Sequence, residues 1–255
     1  MNVNFANFII HTGARRRGDI MAKRITITAV FLSFCVLLAA GDAAAFVDLG
    51  FSKDGRIYMF AQHGSIDKTW RGFAEIYSVD IEKNDYIDGG CFKIAPSVKT
   101  EGVNGSVLYE RLLEQNAAYI KKLSPVPADL AHTLYVKGKA KEPLEQIVFT
   151  DFEGSAKDNP VTFYIRLIPW FSGKTASSKS SFFISVERTD KNGKALSKQV
   201  AGNPDIKRTG VTDYTVEKIM RSNDGKNLIF VVEKRMTTDA GLSVRYMVEA
   251  LKIAG

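Results

Sequence analysis

Apolar residues recur with a period of two along this chain, and that pattern constrains the fold more than anything else in the sequence. Val161, Phe163, Ile165 and Leu167 alternate with Thr162, Tyr164 and Arg166. Phe182, Ile184 and Val186 alternate with Phe183, Ser185 and Glu187, and Val244, Tyr246, Val248 and Ala250 with Arg245, Met247 and Glu249. Successive side chains of a strand point to opposite faces, so each run predicts a strand with one apolar face. Similar runs predict strands over 46–51, 57–62, 73–81, 147–152, 214–220 and 228–234. Asn192-Gly193 between lysines predicts a hairpin turn, since both residues tolerate positive φ.

One stretch has a helical period instead. Between 106 and 123, Leu108, Leu112, Leu113, Ala117, Ile120 and Leu123 fall on one side of a helix. Glu110 and Glu114 come early and Lys121-Lys122 late, as the helix dipole favours, and Pro125 and Pro127 stop the run. The expected fold is therefore mainly β: antiparallel hairpins in a sandwich or propeller-like arrangement, with one substantial helix at about 106–123.

The N-terminal part has a different logic. An apolar run from Ile25 to Ala40 follows Lys23 and Arg24 and leads to Ala43-Ala44-Ala45. A basic flank, a short apolar core and small residues spaced A-x-A predict an export signal. The run falls short of the roughly 20 residues a membrane-spanning helix needs, so the mature form is not expected to span a membrane. Cleavage is expected between Ala45 and Phe46. Met21 opens a compact basic region, which marks residues 1–20 as an extension ahead of the native start, 21–45 as the signal and 46–255 as a single mature domain.

Composition then excludes several classes. Of two cysteines, Cys35 lies inside the export signal, leaving Cys91 without a partner and the fold dependent on its core. The whole-chain charge of +7 is inflated by Arg15, Arg16, Arg17, Lys23 and Arg24 against Asp19 and Asp42. The remaining excess is small, and no nucleic-acid partner is implied. His63 and His132 have no Cys or His at ligand spacing, so no metal or other cofactor is expected. Cys91 follows Gly89-Gly90 and reads as a small buried side chain. No Gly-x-Ser-x-Gly elbow or phosphate loop occurs, and no catalytic residue is assigned. Asp80, Glu82, Asp85 and Asp88 do not have the spacing of a calcium loop.

Two ends of the chain repeat each other. Ser52-Lys53-Asp54-Gly55-Arg56 leads into Ile57-Tyr58-Met59-Phe60, and Ser222-Asn223-Asp224-Gly225-Lys226 into Asn227-Leu228-Ile229-Phe230. Both predict structural turns centred on Asp54-Gly55 and Asp224-Gly225, each followed by a hairpin. These hairpins resemble blades of TolB-type periplasmic propellers. Across most of the chain, Phe46–Arg56, Leu112–Asn116, Gly202-Asn203-Pro204-Asp205-Ile206-Lys207-Arg208 and Arg245-Tyr246-Met247-Val248-Glu249 resemble a family of predicted secreted proteins of unknown function, mainly spirochaetal. That resemblance implies export and transfers no catalytic residue.

The connection after Leu167 carries Trp170, Phe171, Lys174 and Lys179 among small polar residues. Loops on a rigid sheet are where binding sits, so these four form the candidate binding loop. The expected function is that of an exported, non-catalytic periplasmic or cell-envelope protein binding a protein partner or an envelope polymer. The alternative is a periplasmic hydrolase with a dispersed acidic site.

Overall fold

The long central apolar run Leu228-Ile229-Phe230-Val231-Val232 is buried throughout, which a strand achieves only when both of its faces are covered. It belongs to the middle sheet of three. The structure, a computed structural model, describes residues 42–138, 145–156, 158–173, 177–238 and 241–253. The expected extension, most of the expected export signal and Lys174 lie outside the described residues.

The first sheet contains β2 (Ala45–Phe51), β3 (Ile57–Ile66) and β4 (Arg71–Asp80), with β5 (Asp85–Tyr86) and β6 (Phe92–Ile94) both pairing with β4. Another contains β8 (Ile147–Ala156), β9 (Asn159–Ser172), β10 (Lys179–Thr189) and β11 (Ala195–Ala201), with β12 (Arg208–Thr209) added to β10. The middle sheet runs β13 (Val211–Arg221), β14 (Asn227–Thr238) and β15 (Gly241–Lys252), flanked by β7 (Thr133–Val136) and β1 (Asp42–Ala43). All pairings are antiparallel except β1 with β15.

The alternation decides which core each strand serves. Leu228, Phe230 and Val232 of β14 pack with Phe163, Ile165, Phe182 and Ile184 of β9 and β10. Ile229 and Val231 turn the other way, onto Phe51, Tyr58, Phe60 and Val79 of the first sheet. The far side of the first sheet, with Met59, Ala61, Ala74 and Ile76, is closed by Leu108 and Leu112. The layers therefore run helix, sheet, sheet, sheet. Strand β3, like β14, is covered on both faces, so Tyr58/Phe60 and Met59 are all inward. Each fully buried large apolar side chain of this kind stabilises the fold by about 1.5–3 kcal/mol.

The expected single helix is two: α1 (Gly105–Gln115) and α2 (Ala117–Leu123). The break falls at Asn116, whose side-chain amide donates to the Leu112 carbonyl at 2.8 Å in competition with the helical ladder. Asn104 caps α1 by accepting from the Ser106 N–H at 3.0 Å. Helix α1 comes close to β3 because Gly105 has no side chain: a Cβ there would lie 2.4 Å from the Gly64 nitrogen.

Buried and partly buried ion pairs tie the strands together. Arg221 of β13 donates to Asp151 of β8 at 2.6 Å, and Lys218 of β13 to Asp48 of β2 at 2.9 Å. The Tyr58 hydroxyl also donates to Asp48, at 3.0 Å. On the other side of the middle sheet, Asp42 receives two bonds from Arg245, Nη1 to Oδ1 at 3.0 Å and Nη2 to Oδ2 at 2.8 Å. Ala45 and Phe46 are the first residues of β2, opposite His63 and Gln62, and the Phe46 ring stacks on Phe60.

Candidate binding cleft

Where the three sheets meet at one side of β14 and β15, a cleft of about 360 Å³ opens. Its floor follows from register. Lys234 stands opposite Arg245, Val232 opposite Met247 and Phe230 opposite Glu249, so Lys234, Met247 and Glu249 share the face that carries Phe230 and Val232. One wall is the segment leading into β12, with Asn203, Ile206 and Arg208. The opposite wall is the tight turn after β4, with Asn84, Asp85 and Tyr86.

The walls are pinned to the floor through one carboxylate. Glu249 accepts from Asn84 Nδ2 at 2.6 Å on Oε2 and from Arg208 Nη2 at 3.4 Å on Oε1. Asn84 also accepts from the Ala250 N–H at 2.5 Å, and it holds a left-handed backbone, φ 52°, that asparagine tolerates better than most residues. Arg208 lies 4.9 Å from the centre of the Phe182 ring, which covers its guanidinium from below. Gly202, at φ 84°, lets the chain turn directly beside the Glu249 carboxyl. Burial raises the Glu249 pKa, against the opposing pull of the Asn84 bond and the Arg208 charge.

Lys234 is different. Its side chain is half-buried, yet among the described residues its ammonium makes no hydrogen bond and no ion pair. Burial pushes its pKa down to about 8; Arg208, Arg245 and Lys93 push the same way, and only Glu75 opposes them. Glu75 is itself engaged, accepting from Gln62 Nε2 and from the Tyr77 hydroxyl, both at 2.7 Å. The Tyr77 ring lies against Tyr86, 5.2 Å between centres. Burial, and then the Glu249 charge, raise the Tyr86 hydroxyl pKa. The cleft thus presents an ammonium with no hydrogen-bond or ion-pair partner among the described residues, in a mixed lining of apolar, aromatic and charged side chains.

The expected binding loop lies elsewhere. Trp170 and Phe171 are in β9 itself. Phe171 is opposite Ser180 and stacks inward on Tyr214, 6.0 Å between centres. Trp170, opposite Ser181, is exposed on the outer face, with the Lys207 ammonium 4.4 Å over its ring. Lys179 donates to the Thr209 hydroxyl at 2.7 Å. None of these three lines the cleft. Of the turn residues, Asp54, Gly55 and Asp224 line instead a separate shallow depression that also takes in Arg56, Lys226 and Lys252, and Gly225 follows Asp224 in the same turn. The His63 ring stacks on Tyr109, and His132 Nδ1 lies 2.6 Å from Asp129. Among the described residues, no three His, Cys, Asp or Glu side chains cluster as a metal site would require.

Sequence reading missed Lys234, Arg208, Asn84 and Glu249. The available signal was a charge inside an apolar strand pattern: Lys234 continues the series Leu228, Phe230, Val232, and Glu249 sits opposite Phe230. A charge on a covered face is costly unless something uses it.

A mainly-β protein of stacked antiparallel sheets, with a cleft lined by charged side chains of both signs and, among the described residues, no helix long and apolar enough to cross a membrane, is the class that emerges. The family model described as "Predicted secreted protein (DUF2259)" matches residues 59–252, and the chain belongs to that family of predicted secreted proteins. No curated protein and no solved structure matches it.

Proposed function

We propose that this is a non-catalytic binding protein of the periplasm or cell envelope that holds an envelope polymer or a protein partner in the cleft lined by Lys234. The observation that carries this reading is the half-buried ammonium without a partner among the described residues, lining a walled cleft. A buried cation left without a partner is a standing cost to the fold, and an anionic ligand is the simplest group to relieve it. The competing reading, a periplasmic hydrolase with a dispersed acidic site, draws on Asp85 and Glu249 lining the same cleft. Both Glu249 oxygens are held by donors, which suits a structural carboxylate better than one that must pass a proton.

Co-sedimentation with purified cell-envelope material tests the proposal. The exported protein should pellet with the polymer fraction, and Lys234→Met should shift it at least tenfold toward the supernatant. Equal pelleting of both forms would argue against the cleft, and release of soluble fragments from the polymer would favour the hydrolase.

A further inference from the structure

We propose that the cleft takes an oxyanion, phosphate or carboxylate, carried on a sugar-sized unit of an envelope polymer, with the anion seated on Lys234. This rests on the binding reading above and narrows it to a ligand class. Three features point to it. Lys234 has no hydrogen-bond or ion-pair partner among the described residues, while Arg208 is shared with Glu249, so the Lys234 ammonium is the cation left to meet a ligand, with Asp85 the other carboxylate in the wall. The Asn203 side-chain oxygen accepts from the Asp205 N–H at 2.8 Å, which leaves its amide hydrogens for an acceptor. The volume of about 360 Å³ lies at the lower end of small-molecule sites, more than a bare oxyanion fills and less than a folded partner's side needs. Within the rest of the lining, Tyr86, Ile206 and Met247 suit the weakly apolar face of a sugar ring.

The test is calorimetric titration of the exported protein with glucose 6-phosphate, glucuronate, inorganic phosphate and glucose. Glucose 6-phosphate or glucuronate should bind at least tenfold more tightly than both glucose and inorganic phosphate, and which of the two binds identifies the oxyanion. Lys234→Met should lose at least tenfold in affinity and Lys234→Arg should retain most of it. A second measurement needs no variant: the binding ligand should protect Lys234 from acylation, read by mass spectrometry. Equal binding of glucose and its anionic forms, or unchanged acylation at saturation, would overturn the assignment. Polymer binding that persists while all four probes fail would sink this ligand class alone. Loss of polymer binding as well would sink both readings.

We also infer, from a separate observation, that the export cut falls ahead of Asp42, so that Asp42–Ala44 remain in the working protein. Asp42 and Ala44 are buried, the Asp42 carboxylate takes both Arg245 nitrogens, and Ser243 Oγ donates to it at 3.3 Å. Asp42 and Ala43 extend the middle sheet beside β15, and the Ala44 N–H bonds the Val244 carbonyl at 3.1 Å. A cut after Ala45 would remove all of this and strand Arg245, which also packs 4.0 Å from the Phe73 ring centre. Ala39 and Gly41 are small residues at the spacing an export peptidase requires. N-terminal sequencing of the exported protein should read Asp42, or a residue ahead of it, as the first. A product beginning at Phe46 would overturn the inference. As an independent check, a chain begun at Phe46 should melt several degrees lower than one begun at Asp42, and equal melting would count against it.

Discussion

Ser52 and Ser222 make the same hydrogen bonds at opposite ends of the chain. Each hydroxyl donates to the aspartate two residues on, Asp54 or Asp224, at 2.6 Å, and accepts a backbone N–H, of Ile57 or Asn227, at 3.0 Å. Gly55 and Gly225 then donate to the serine carbonyls at 2.8 Å from left-handed backbones, φ 70° and 72°. Even the closing bond is shared: Ile81 N–H to the Arg56 carbonyl in one hairpin, Ile253 N–H to the Lys226 carbonyl in the other. The two hairpins pack face to face through Phe60 and Val79 against Ile229 and Val248. The internal repeat read in the sequence is therefore a repeated turn built to one plan.

The cost of altering these turns should be conformational rather than steric, because a Cβ at Gly55 meets nothing within 4 Å and one at Gly225 only the Arg221 Cδ at 4.0 Å. Gly55→Val and Gly225→Val should each destabilise the fold by about 1–3 kcal/mol, the usual cost of a strained backbone position. Gly→Asn at either site should recover most of that, since asparagine visits the left-handed region readily. Thermal melts of the four variants check this, and a neutral valine would mean the turn does not hold its conformation against sequence.

Cys91 should behave as an inert side chain. It is half-buried, and burial raises its thiol pKa, so the thiolate is scarce at neutral pH. Alkylation at pH 7 should be slower than for free cysteine and should accelerate as pH rises past the thiol's ordinary range. Cys91→Ser should leave ligand binding unchanged and lower stability only modestly. Fast labelling at pH 7 would contradict this environment.

The strands were legible because period-two alternation survives wherever one face is wet or less crowded, as in Phe163, Ile165 and Phe182, Ile184. The order of layers was not. In β3 and β14 both faces are covered, so alternation vanishes and Tyr58, Met59 and Phe60 give no hint of which neighbour each meets. The helix was legible in period but not in its break, because Asn116 interrupts the ladder without interrupting the apolar stripe. The cleft was illegible for a third reason. Asn84, Arg208, Lys234 and Glu249 come from four segments that only the stacking of sheets brings together, and apart from the charge at Lys234 in line with Leu228, Phe230 and Val232, their own windows do not single them out.

The Arg221–Asp151 pair should be a strong joint between the middle sheet and β8. Both side chains are buried and the contact is 2.6 Å. Removing Arg221 takes the closest counter-charge from a buried carboxylate that the Arg188 charge still reaches, which should cost about 3 kcal/mol, the low end for a broken buried pair. Arg221→Met should lower stability by that order in urea unfolding, and Arg221→Met with Asp151→Leu should recover a large part of the loss. A single variant within about 0.5 kcal/mol of wild type, the range of ordinary surface changes, would show that water reaches the pair.

Lys234 makes stability and ligand binding depend on pH in opposite senses. In the fold its pKa is about 8, below the ordinary lysine value of 10.5, because burial and the charges of Arg208, Arg245 and Lys93 outweigh Glu75; Asp85, Glu249 and the Tyr86 hydroxyl are the other titratable groups in the cleft wall and floor. Between these two values the unfolded chain keeps a proton that the folded chain gives up, and stability therefore rises with pH across that window. Below pH 8 the penalty is complete and no longer changes. Lys234→Met should accordingly be more stable than wild type by about 1–3 kcal/mol below pH 8, as expected when a poorly solvated charge is removed, and the advantage should shrink as pH approaches 10.5. Comparing the two proteins cancels the titration of Cys91 and the tyrosines, which affects both alike. The oxyanion should reverse the balance: it needs the ammonium charged, so affinity should hold below pH 8 and fall as pH rises beyond it, and saturating ligand should close the stability gap between wild type and Lys234→Met. Urea unfolding at pH 7 and pH 10, with and without ligand, reads all of these terms. A gap that is the same at both pH values would show that Lys234 is fully solvated, and the cleft would then lose its poorly solvated charge.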